Sequence, residues 1–244
     1  MSSLKLSNPH SVLAALESRP RDVLEIHASR NTSNEGWKQV LHSARERGIP
    51  VREPLPREAG NPRRSRDGGR VGTTFAIVRE KPGVSLEALF SPGVSRGLWI
   101  ALDQLQDPHN VGAVFRTAAF FGVQGILLTV DRSAPLSATV YDVASGGVES
   151  IPFTLQTNLA QGMEAAKKNH LWVLGSSEHA TEDIDQIDRD RRWLLVVGNE
   201  EKGLRKLTQQ RCDQLCRIAG QGVIGSLNVS VATGILIASL SRPG

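Results

Sequence analysis

From Leu98 almost to the end of the chain, short apolar runs alternate with segments of helical periodicity. The first run, residues 98–103 (Leu-Trp-Ile-Ala-Leu-Asp), has the length and the nearly unbroken apolar character of a buried strand. Further strands are predicted over residues 125–130, 151–154, 171–174, 193–197 and 215–218, and helices over residues 110–121, 137–144, 158–169 and 204–213. This alternation predicts an α/β fold whose parallel sheet is covered on both faces. Ligands of such sheets bind at the carboxyl ends of the strands.

A smaller α/β unit precedes this sheet. Helices are predicted over residues 8–17 and 36–47, and strands over residues 23–27, 49–52 and 74–78. Two segments that contain Pro-Gly, residues 81–83 and 91–93, have the composition of a linker. We therefore predict a small domain over residues 1–79, a linker over residues 80–96 and a larger domain over residues 97–244.

The charge of the chain is compatible with a polyanionic partner but does not require one. Its 244 residues carry a net charge of +4, and the pI is about 9.4. Residues 54–72 combine proline, glycine, asparagine and serine with five arginines, namely Arg57, Arg63, Arg64, Arg66 and Arg70. Two interpretations stay open for this segment: a solvated loop, or an arginine-rich arm that contacts phosphates.

Several protein classes are disfavoured by the sequence. The two cysteines, Cys212 and Cys216, are predicted four residues apart on one helix, with no second pair of ligands nearby. They indicate neither a zinc site nor a disulfide, and no metal site is predicted. There is neither a signal peptide nor an apolar run of membrane-spanning length, so we expect a cytoplasmic protein without a membrane partner.

The last segment of the chain begins with three glycines, Gly220, Gly222 and Gly225, spaced as in the G-x-G-x-x-G fingerprint of dinucleotide-binding proteins. That fingerprint needs a following strand that carries an acidic residue, and the chain stops before such a strand. A nicotinamide dehydrogenase is therefore the weakest interpretation. We expect the glycines to let the backbone bend and a ligand approach, and Ser226 and Asn228 to begin the last helix as N-caps.

Polar residues and glycine crowd three segments that follow predicted strands. Residues 107–118 read Asp-Pro-His-Asn-Val-Gly-Ala-Val-Phe-Arg-Thr-Ala, residues 198–203 read Gly-Asn-Glu-Glu-Lys-Gly, and residues 226–232 read Ser-Leu-Asn-Val-Ser-Val-Ala. Each alone has a structural explanation, with Asn110 as a helix cap, Arg116 on a surface and Glu200 as a charge at a helix start. Together, after strands of one sheet, the three segments predict a shared ligand site.

The three segments resemble, in order, the motifs of the SpoU (TrmH) family of RNA ribose 2'-O-methyltransferases, within the SPOUT superfamily. The resemblance covers residues 99–240 and rests on Asp-Pro-x-Asn-x-Gly with Arg-Thr-Ala, Gly-x-Glu-x-x-Gly, and Ser-Leu-Asn-Val-Ser-Val-Ala. Residues 131–134 and 158–160 are similar to members that act on large-subunit ribosomal RNA. The N-terminal part resembles the small substrate-binding domain of those members, which is similar to ribosomal protein folds.

The resemblance implies methyl transfer from S-adenosylmethionine to a ribose 2'-hydroxyl, on a guanosine of large-subunit (23S) ribosomal RNA. It also implies a deep trefoil knot near the C-terminus of a SPOUT domain, and a homodimer whose active site draws on both subunits. The implied catalytic residues are Arg116, Asn110, Glu200, Ser226 and Asn228. The implied cofactor-binding residues are Gly198, Ile218 and Leu227, which would act chiefly through their backbone groups. Whether Arg116 acts as a base or clamps an RNA phosphate stays open, because arginine is normally protonated.

Two alternatives remain: the same chemistry on transfer RNA, and an RNA-binding protein without catalysis. The N-terminal domain favours ribosomal RNA, because compact members that act on transfer RNA often lack it. The joint presence of Arg116, Glu200 and Asn228 favours an enzyme, because a binding module need not keep all three. Members that act on ribosomal RNA have Tyr-Gly and His-Gln where this chain has Ser-Asn (residues 7–8) and Arg-Val (residues 70–71). These differences weaken the prediction of which RNA is the substrate. No DNA partner is expected.

Overall fold

Two β-sheets organise the chain, of which the computed structural model describes residues 2–53, 74–91 and 93–242. The strands are β1 (Ser3–Leu6), β2 (Val23–His27), β3 (Val51–Arg52), β4 (Phe75–Arg79), β5 (Gly97–Leu102), β6 (Gly125–Thr129), β7 (Phe153–Gln156), β8 (Trp172–Ser176), β9 (Glu182–Asp183), β10 (Arg192–Val197) and β11 (Gln214–Arg217). The helices are α1 (Pro9–Ser18), α2 (Glu35–Glu46), α3 (Leu86–Leu89), α4 (Pro108–Phe121), α5 (Ala138–Ala144), α6 (Gly147–Ser150), α7 (Leu159–Lys168), α8 (Lys206–Arg211) and α9 (Val229–Ser241). None of these described helices is both long and apolar enough to span a membrane. The arginine-rich segment 54–72 lies outside the described residues.

The larger sheet contains seven parallel strands in the order β7-β6-β5-β10-β8-β11-β9. The predicted α/β fold with a parallel sheet is thereby confirmed. Each predicted strand and helix of this domain is present, with its ends shifted by at most two residues. The elements β1, β9, α3 and α6 were not predicted, because two to four residues carry too little periodicity to be recognised.

Alternate residues of the central strands face two separate apolar cores. In β5, Ile100 and Leu102 face a core shared with α4, α5 and α9, whereas Trp99 and Ala101 face a core shared with α7. The strand β10 divides its residues in the same way. Because both faces of the sheet are covered, these strands are apolar at nearly every position, which is why their sequences are continuous apolar runs.

The N-terminal residues form a second, four-stranded sheet in the order β1-β4-β2-β3, with α1 and α2 packed together on it. The neighbours β1 and β4, and β4 and β2, are antiparallel, whereas β2 and β3 are parallel. The apolar core of this unit is continuous with the core on the α4 side of the larger sheet. The two sheets therefore share buried apolar surface.

The segment 80–96 is held against the larger sheet. Phe90 is fully buried, and the indole Nε1 of Trp99 donates a hydrogen bond to the carbonyl oxygen of Leu89 at 2.8 Å. The Lys81 ammonium donates to the carbonyl oxygens of residues 148, 149 and 151 at 2.8–3.0 Å. Burial lowers the pKa of Lys81. The side chain thus caps the carboxyl end of α6 from the segment that joins the two sheets.

Two carboxylates, Asp142 of α5 and Glu149 of α6, hold the N-terminal unit. Asp142 accepts hydrogen bonds from the backbone N–H groups of Ser7 and Asn8, both at 3.0 Å. Burial raises the pKa of Asp142 despite these two donors. Arg19 donates two hydrogen bonds of 2.7 Å to Glu149, whose side chain is only 2% exposed. Because these bonds are directional, they fix how the two units are oriented.

The two cysteines do not share a helix, so that prediction was wrong. Cys212 directly follows α8, and Cys216 lies in β11, because the chain turns into a strand at Gln214. Both are free thiols, and burial raises the pKa of each to about 12.

We expect the ion pair between Arg19 and Glu149 to contribute strongly to docking. Glu149→Ala should lower the free energy of unfolding by roughly 3–5 kcal/mol, because it leaves a largely buried guanidinium without its main partner. In a double-mutant cycle followed by urea denaturation, adding Arg19→Ala should cost much less in the Glu149→Ala background than in the native chain. The exposed pair of Lys38 and Glu35 is the control, with an expected coupling below about 1 kcal/mol. Equal coupling in the two cycles would contradict this role.

The thiols should make stability fall at alkaline pH. Thiols of the unfolded chain ionise near pH 9, the ordinary value, whereas those of Cys212 and Cys216 stay protonated to about 12. Between these values the unfolded state binds fewer protons than the folded state, so the free energy of unfolding decreases as the pH rises. Urea titrations at several pH values check this, and the double variant Cys212→Ala/Cys216→Ala should show a shallower decrease. An unchanged slope in that variant would show that other groups cause the effect.

Candidate active site

The loop that follows β10 is closed by two glycines. A Cβ atom on Gly198 would lie 2.2 Å from the carbonyl carbon of Gly203, so no other residue fits at this position without movement. Gly203 has φ of +60°, in the left-handed region that glycine adopts without strain. The backbones of Asn199 and Gly203 exchange hydrogen bonds of 2.9 and 3.2 Å. Residues 198–203 therefore form a tight turn that projects Glu200 from the carboxyl edge of the sheet.

The side chain of Asn199 fixes this turn from within. Its Oδ1 accepts hydrogen bonds from the N–H groups of Glu201 and Lys202 at 3.1 and 3.2 Å. Its Nδ2 donates to the carbonyl oxygen of Gln104 at 2.9 Å and to the Glu200 carboxylate at 3.2 Å. Asn199 thus joins the loop after β10 to the loop after β5, and the sequence patterns did not single it out.

Glu200 binds the beginning of α4. Its Oε1 accepts hydrogen bonds from the backbone N–H groups of Gln106 and Asp107, both at 3.1 Å, and from Nδ2 of Asn110 at 3.3 Å. Asp107 is the N-cap of α4, since its carboxylate accepts from the N–H of His109 at 2.8 Å. The prediction that Asn110 caps this helix was therefore wrong. Asn110 lies in the first turn, largely buried, and is free to bind other loops.

Asn110 also contacts the third predicted segment. Its Oδ1 accepts a hydrogen bond of 3.1 Å from Nδ2 of Asn228. The Oδ1 of Asn228 in turn accepts from the N–H of Ser230 at 2.9 Å, so Asn228 caps α9 as predicted. The three polar segments, which are far apart in sequence, are thereby connected by one chain of side chains, Glu200–Asn110–Asn228. These contacts bring the three segments together at one edge of the sheet.

Two residues beside the Glu200–Asn110–Asn228 network are unusual: Asp103 is a buried carboxylate, and Gln104 has a left-handed backbone. Asp103, at the end of β5, is 2% exposed and accepts two hydrogen bonds from Arg205 at 2.9 and 3.1 Å, which ties the start of α8 to the central strand. Gln104 has φ of +61°, a conformation that costs a non-glycine residue energy. Its N–H donates to Thr129 at 2.8 Å, and its carbonyl oxygen accepts from Asn199. A charged residue at the end of an apolar strand was the one sequence signal that marked Asp103.

Two of the predicted catalytic residues lie outside this network. Arg116 is exposed on α4, and its side chain makes no hydrogen bond or ion pair with any residue in the described ranges. Ser226 is also exposed and makes no hydrogen bond within the described part of the chain. The glycine of the first motif, Gly112, has a packing role, because a Cβ there would lie 2.7 Å from the side chain of Val143 in α5. The structure thus groups three of the five predicted residues and leaves two facing solvent.

Two of the predicted cofactor residues lie at the carboxyl ends of the strands that flank β8. Gly198 follows β10 and Ile218 follows β11, and β8 lies between these two strands. The loop after β8 therefore adjoins both, and Ser177 N–H donates to the carbonyl oxygen of Cys216 at 2.9 Å. Leu227 is 51% exposed. The sequence patterns did not predict that the loop beginning at Ser177 lies at this edge, because they do not give the order of the strands in the sheet.

The loop that precedes α9 exposes both its backbone and its apolar side chains. Within the described residues, no backbone group of residues 219–227 hydrogen-bonds to another residue. Val223 and Ile224 are 100% and 78% exposed. Free amide and carbonyl groups beside apolar side chains fit a ligand that combines an apolar ring with polar edges, as adenosine does. The glycines at 220, 222 and 225 have no positive φ, and a Cβ at each would meet nothing within 4 Å, so the free chain does not itself require glycine there.

Comparison with known proteins places these loops in a family. A sequence model described as the SpoU rRNA Methylase family matches residues 97–238, more than half of the chain and all three polar segments. A Pseudomonas aeruginosa protein named 23S rRNA (guanosine-2'-O-)-methyltransferase RlmB is 35% identical, with 98% of this chain and 96% of that protein covered. The Bordetella pertussis protein of the same name is 34% identical, with 95% and 94% covered. The crystal structure of the SpoU methyltransferase AviRb from Streptomyces viridochromogenes, in complex with the cofactor AdoMet, superposes with a TM-score of 0.79 at 20% identity, covering 98% of this chain and 90% of that one.

The named relatives match both sheets, and the residues matched by the family model include Asn110, Glu200 and Asn228. The chain therefore belongs to the SpoU rRNA Methylase family.

Proposed function

We propose that this protein transfers a methyl group from S-adenosylmethionine to the ribose 2'-hydroxyl of a guanosine in 23S ribosomal RNA. The observation that carries the proposal is the hydrogen-bonded chain Glu200–Asn110–Asn228, which joins three loops at the carboxyl edge of the sheet. The relatives named for this reaction cover nearly the whole chain, including the N-terminal unit that compact members acting on transfer RNA often lack. The proposed substrate places the enzyme in the cytoplasm.

The reaction needs a hydroxyl that is aligned with the methyl carbon and that loses its proton. When bound, S-adenosylmethionine would supply an electrophilic methyl group and would leave as S-adenosylhomocysteine, while the hydroxyl proton passes to water. The protein supplies alignment and electrostatic stabilisation. Glu200 already accepts hydrogen bonds from two backbone N–H groups and from the amides of Asn110 and Asn199. With its lone pairs engaged, Glu200 is a positioning residue that holds the loop after β10 against the start of α4.

Arg116 is suited to bind the RNA. It has no partner among the described residues, and its guanidinium is cationic and offers several donors, which match a phosphate or the oxygens around a ribose. A cation at this position stabilises negative charge that develops on the ribose oxygen as the proton leaves. We assign Arg116 to this electrostatic role. We assign Asn228, the N-cap of α9, and Ser226, two residues before it, to the polar lining of the same site.

Gly198, Ile218 and Leu227 are the residues that we assign to the cofactor. Gly198 and Ile218 follow β10 and β11, the two strands that flank β8, and Leu227 lies in the loop that precedes α9. The backbone groups of residues 219–227 are available to a ligand. The partly buried Ile218 and the half-exposed Leu227 offer apolar surface to an adenine ring.

The path of the C-terminal segment supports a trefoil knot. The strand β11 lies beyond β8 in the sheet, whereas the following helix, α9, packs on α4 and β5, on the other side of β10. The chain must therefore return across the carboxyl edge, past the loop that follows β10. A segment that crosses back beside such a loop has the geometry required to thread it.

Exposed apolar side chains on two adjoining helices support a homodimer. Phe120 and Phe121 of α4 are 82% and 36% exposed, and Val231 and Ile235 of α9 are 52% and 37% exposed. Apolar patches of this kind mark protein interfaces. Arg116 lies one helical turn before Phe120 and so shares its face of α4. A second subunit on this face would therefore reach the active site, as the family resemblance implies.

Replacing Arg116 should abolish turnover while leaving cofactor binding intact. With unmodified 23S ribosomal RNA as substrate, Arg116→Ala should lower kcat/KM by roughly 100-fold or more, by analogy with removal of a single electrostatic donor. Its affinity for S-adenosylmethionine, measured by isothermal titration, should stay within about twofold. Arg211→Ala, at the amino edge of the sheet, is the control and should keep activity. Detection of 2'-O-methylguanosine by mass spectrometry tests the reaction itself, and retained turnover in Arg116→Ala would remove this residue from the mechanism.

Phe120→Asp should convert the dimer into a monomer, because it places a charge at the centre of the proposed apolar interface. Sedimentation velocity would show the change in mass, and methylation should fall with it. Leu207→Asp is the matched control, since Leu207 is 73% exposed on α8, away from this face. A native protein that sediments as a monomer, or a Phe120→Asp variant that remains dimeric, would exclude this interface.

A further inference from the structure

A crevice of about 650 Å³ lies between the N-terminal sheet and the carboxyl ends of β6 and β7. This interdomain crevice is lined by residues 80–83, 128–130 and 133–137 together with Leu4, Tyr141, Phe153 and Leu155. Its volume is within the roughly 300–1,000 Å³ range of small-molecule pockets. The mechanism described above does not use it.

The lining of the interdomain crevice favours an uncharged ligand. Its charged residues are Glu80 and Lys81, and the Lys81 ammonium is engaged by the three carbonyl oxygens at the end of α6. In the described part of the chain the lining thus offers a carboxylate and no free cation, which disfavours a phosphate. Val130 and Leu155 on its rim are 51% and 50% exposed, so the rim offers apolar surface that a ligand can bury. A flat, apolar-faced group suits this combination.

Tyr141 supplies a hydrogen-bond donor to the same space. It is 2% exposed, and its hydroxyl oxygen accepts the N–H of Lys81 at 3.0 Å. None of the described residues accepts the hydroxyl proton of Tyr141. Burial raises the pKa of Tyr141 from its ordinary value of 10.0 to about 12, so the hydroxyl keeps its proton, and can donate it, even at alkaline pH. Nucleobases present carbonyl oxygens and ring nitrogens that accept such a bond.

The crevice is connected to the active-site loops. Thr129 in its wall accepts the N–H of Gln104, and the N–H of Ala134 donates to the carbonyl oxygen of Leu105 at 2.7 Å. The next two residues of that loop donate to Glu200. The crevice and the active site therefore share one edge of the sheet, with β6 beside β5.

We infer that the interdomain crevice receives an unpaired base of the RNA substrate, turned out of the strand near the nucleotide that is methylated. The inference rests on the proposed function and adds a specificity site to it. The base would be covered by apolar side chains from both domains and would accept a hydrogen bond from Tyr141. Sequence-specific recognition of RNA commonly uses such extruded single-stranded bases.

Ser137→Phe tests the inference, because it fills the crevice without changing charge or removing a side-chain cap. Ser137 lines the crevice, and its hydroxyl makes no capping bond to α5. With 23S ribosomal RNA transcribed in vitro, the variant should bind roughly tenfold more weakly at about 0.2 M salt, a loss of about 1.4 kcal/mol. The dependence of affinity on salt should stay unchanged, because no phosphate contact is lost. Affinity for S-adenosylmethionine should also be unchanged.

Ser95→Phe, an exposed substitution of the same kind before β5, is the control and should bind RNA normally. A second variant, Tyr141→Phe, should weaken RNA binding by about fivefold, the loss of one hydrogen bond, in protein whose thermal unfolding shows that it is folded. Affinity within twofold of native for both crevice variants would overturn the inference. If native protein binds the RNA without methylating it, the proposed reaction fails while the binding comparison still decides the crevice. If native protein does not bind this RNA, both fail.

Discussion

The amide of Asn110 is the contact on which the site depends. A primary amide donates and accepts at once, so Asn110 donates to Glu200 and accepts from Asn228. A carboxylate at this position could not donate to Glu200, and a serine hydroxyl is too short to span both partners. The two bonds join segments separated by 90 and 118 residues. Asp107 makes this possible, because it caps α4 and leaves Asn110 free for other loops.

The single amide of Asn110 can join three loops because the sheet is parallel. Since all seven strands of the larger sheet run in one direction, their following loops meet at a single edge. Each loop is then braced locally: Gly198 and Gly203 close the turn that carries Glu200, and Asp103 holds Arg205 at the start of α8. The strained backbone of Gln104 is held by its two hydrogen bonds to neighbouring loops. The site is thus built from backbone turns that neighbouring loops keep in place.

Local pattern was enough to predict the longer strands and helices of the larger sheet but not the contacts between them. Continuous apolar runs and helical spacing carry strand and helix information within a few residues, so β5, β10 and α4 were predicted to within two residues. Asn110 was assigned as a cap because asparagine at a helix start usually acts locally. Its true partners, like that of Asp103, lie about a hundred residues away, and no periodicity encodes such pairs. The polar segments were found only because they share a position after strands.

The glycines at 220, 222 and 225 are a case in which the sequence shows a pattern that the fold of the free chain does not explain. Nothing in the free chain crowds them or forces a left-handed backbone, unlike Gly198 and Gly203. Their spacing in the sequence therefore points to something outside the chain, a ligand or a second subunit, that approaches the backbone closely. The exposed Phe120 and Ile235 lead to the same conclusion from apolar surface. Hydrogen bonds fix the inner parts of this edge of the sheet, whereas its outer parts are exposed. This is the arrangement expected if the proposed ligands and second subunit complete the site.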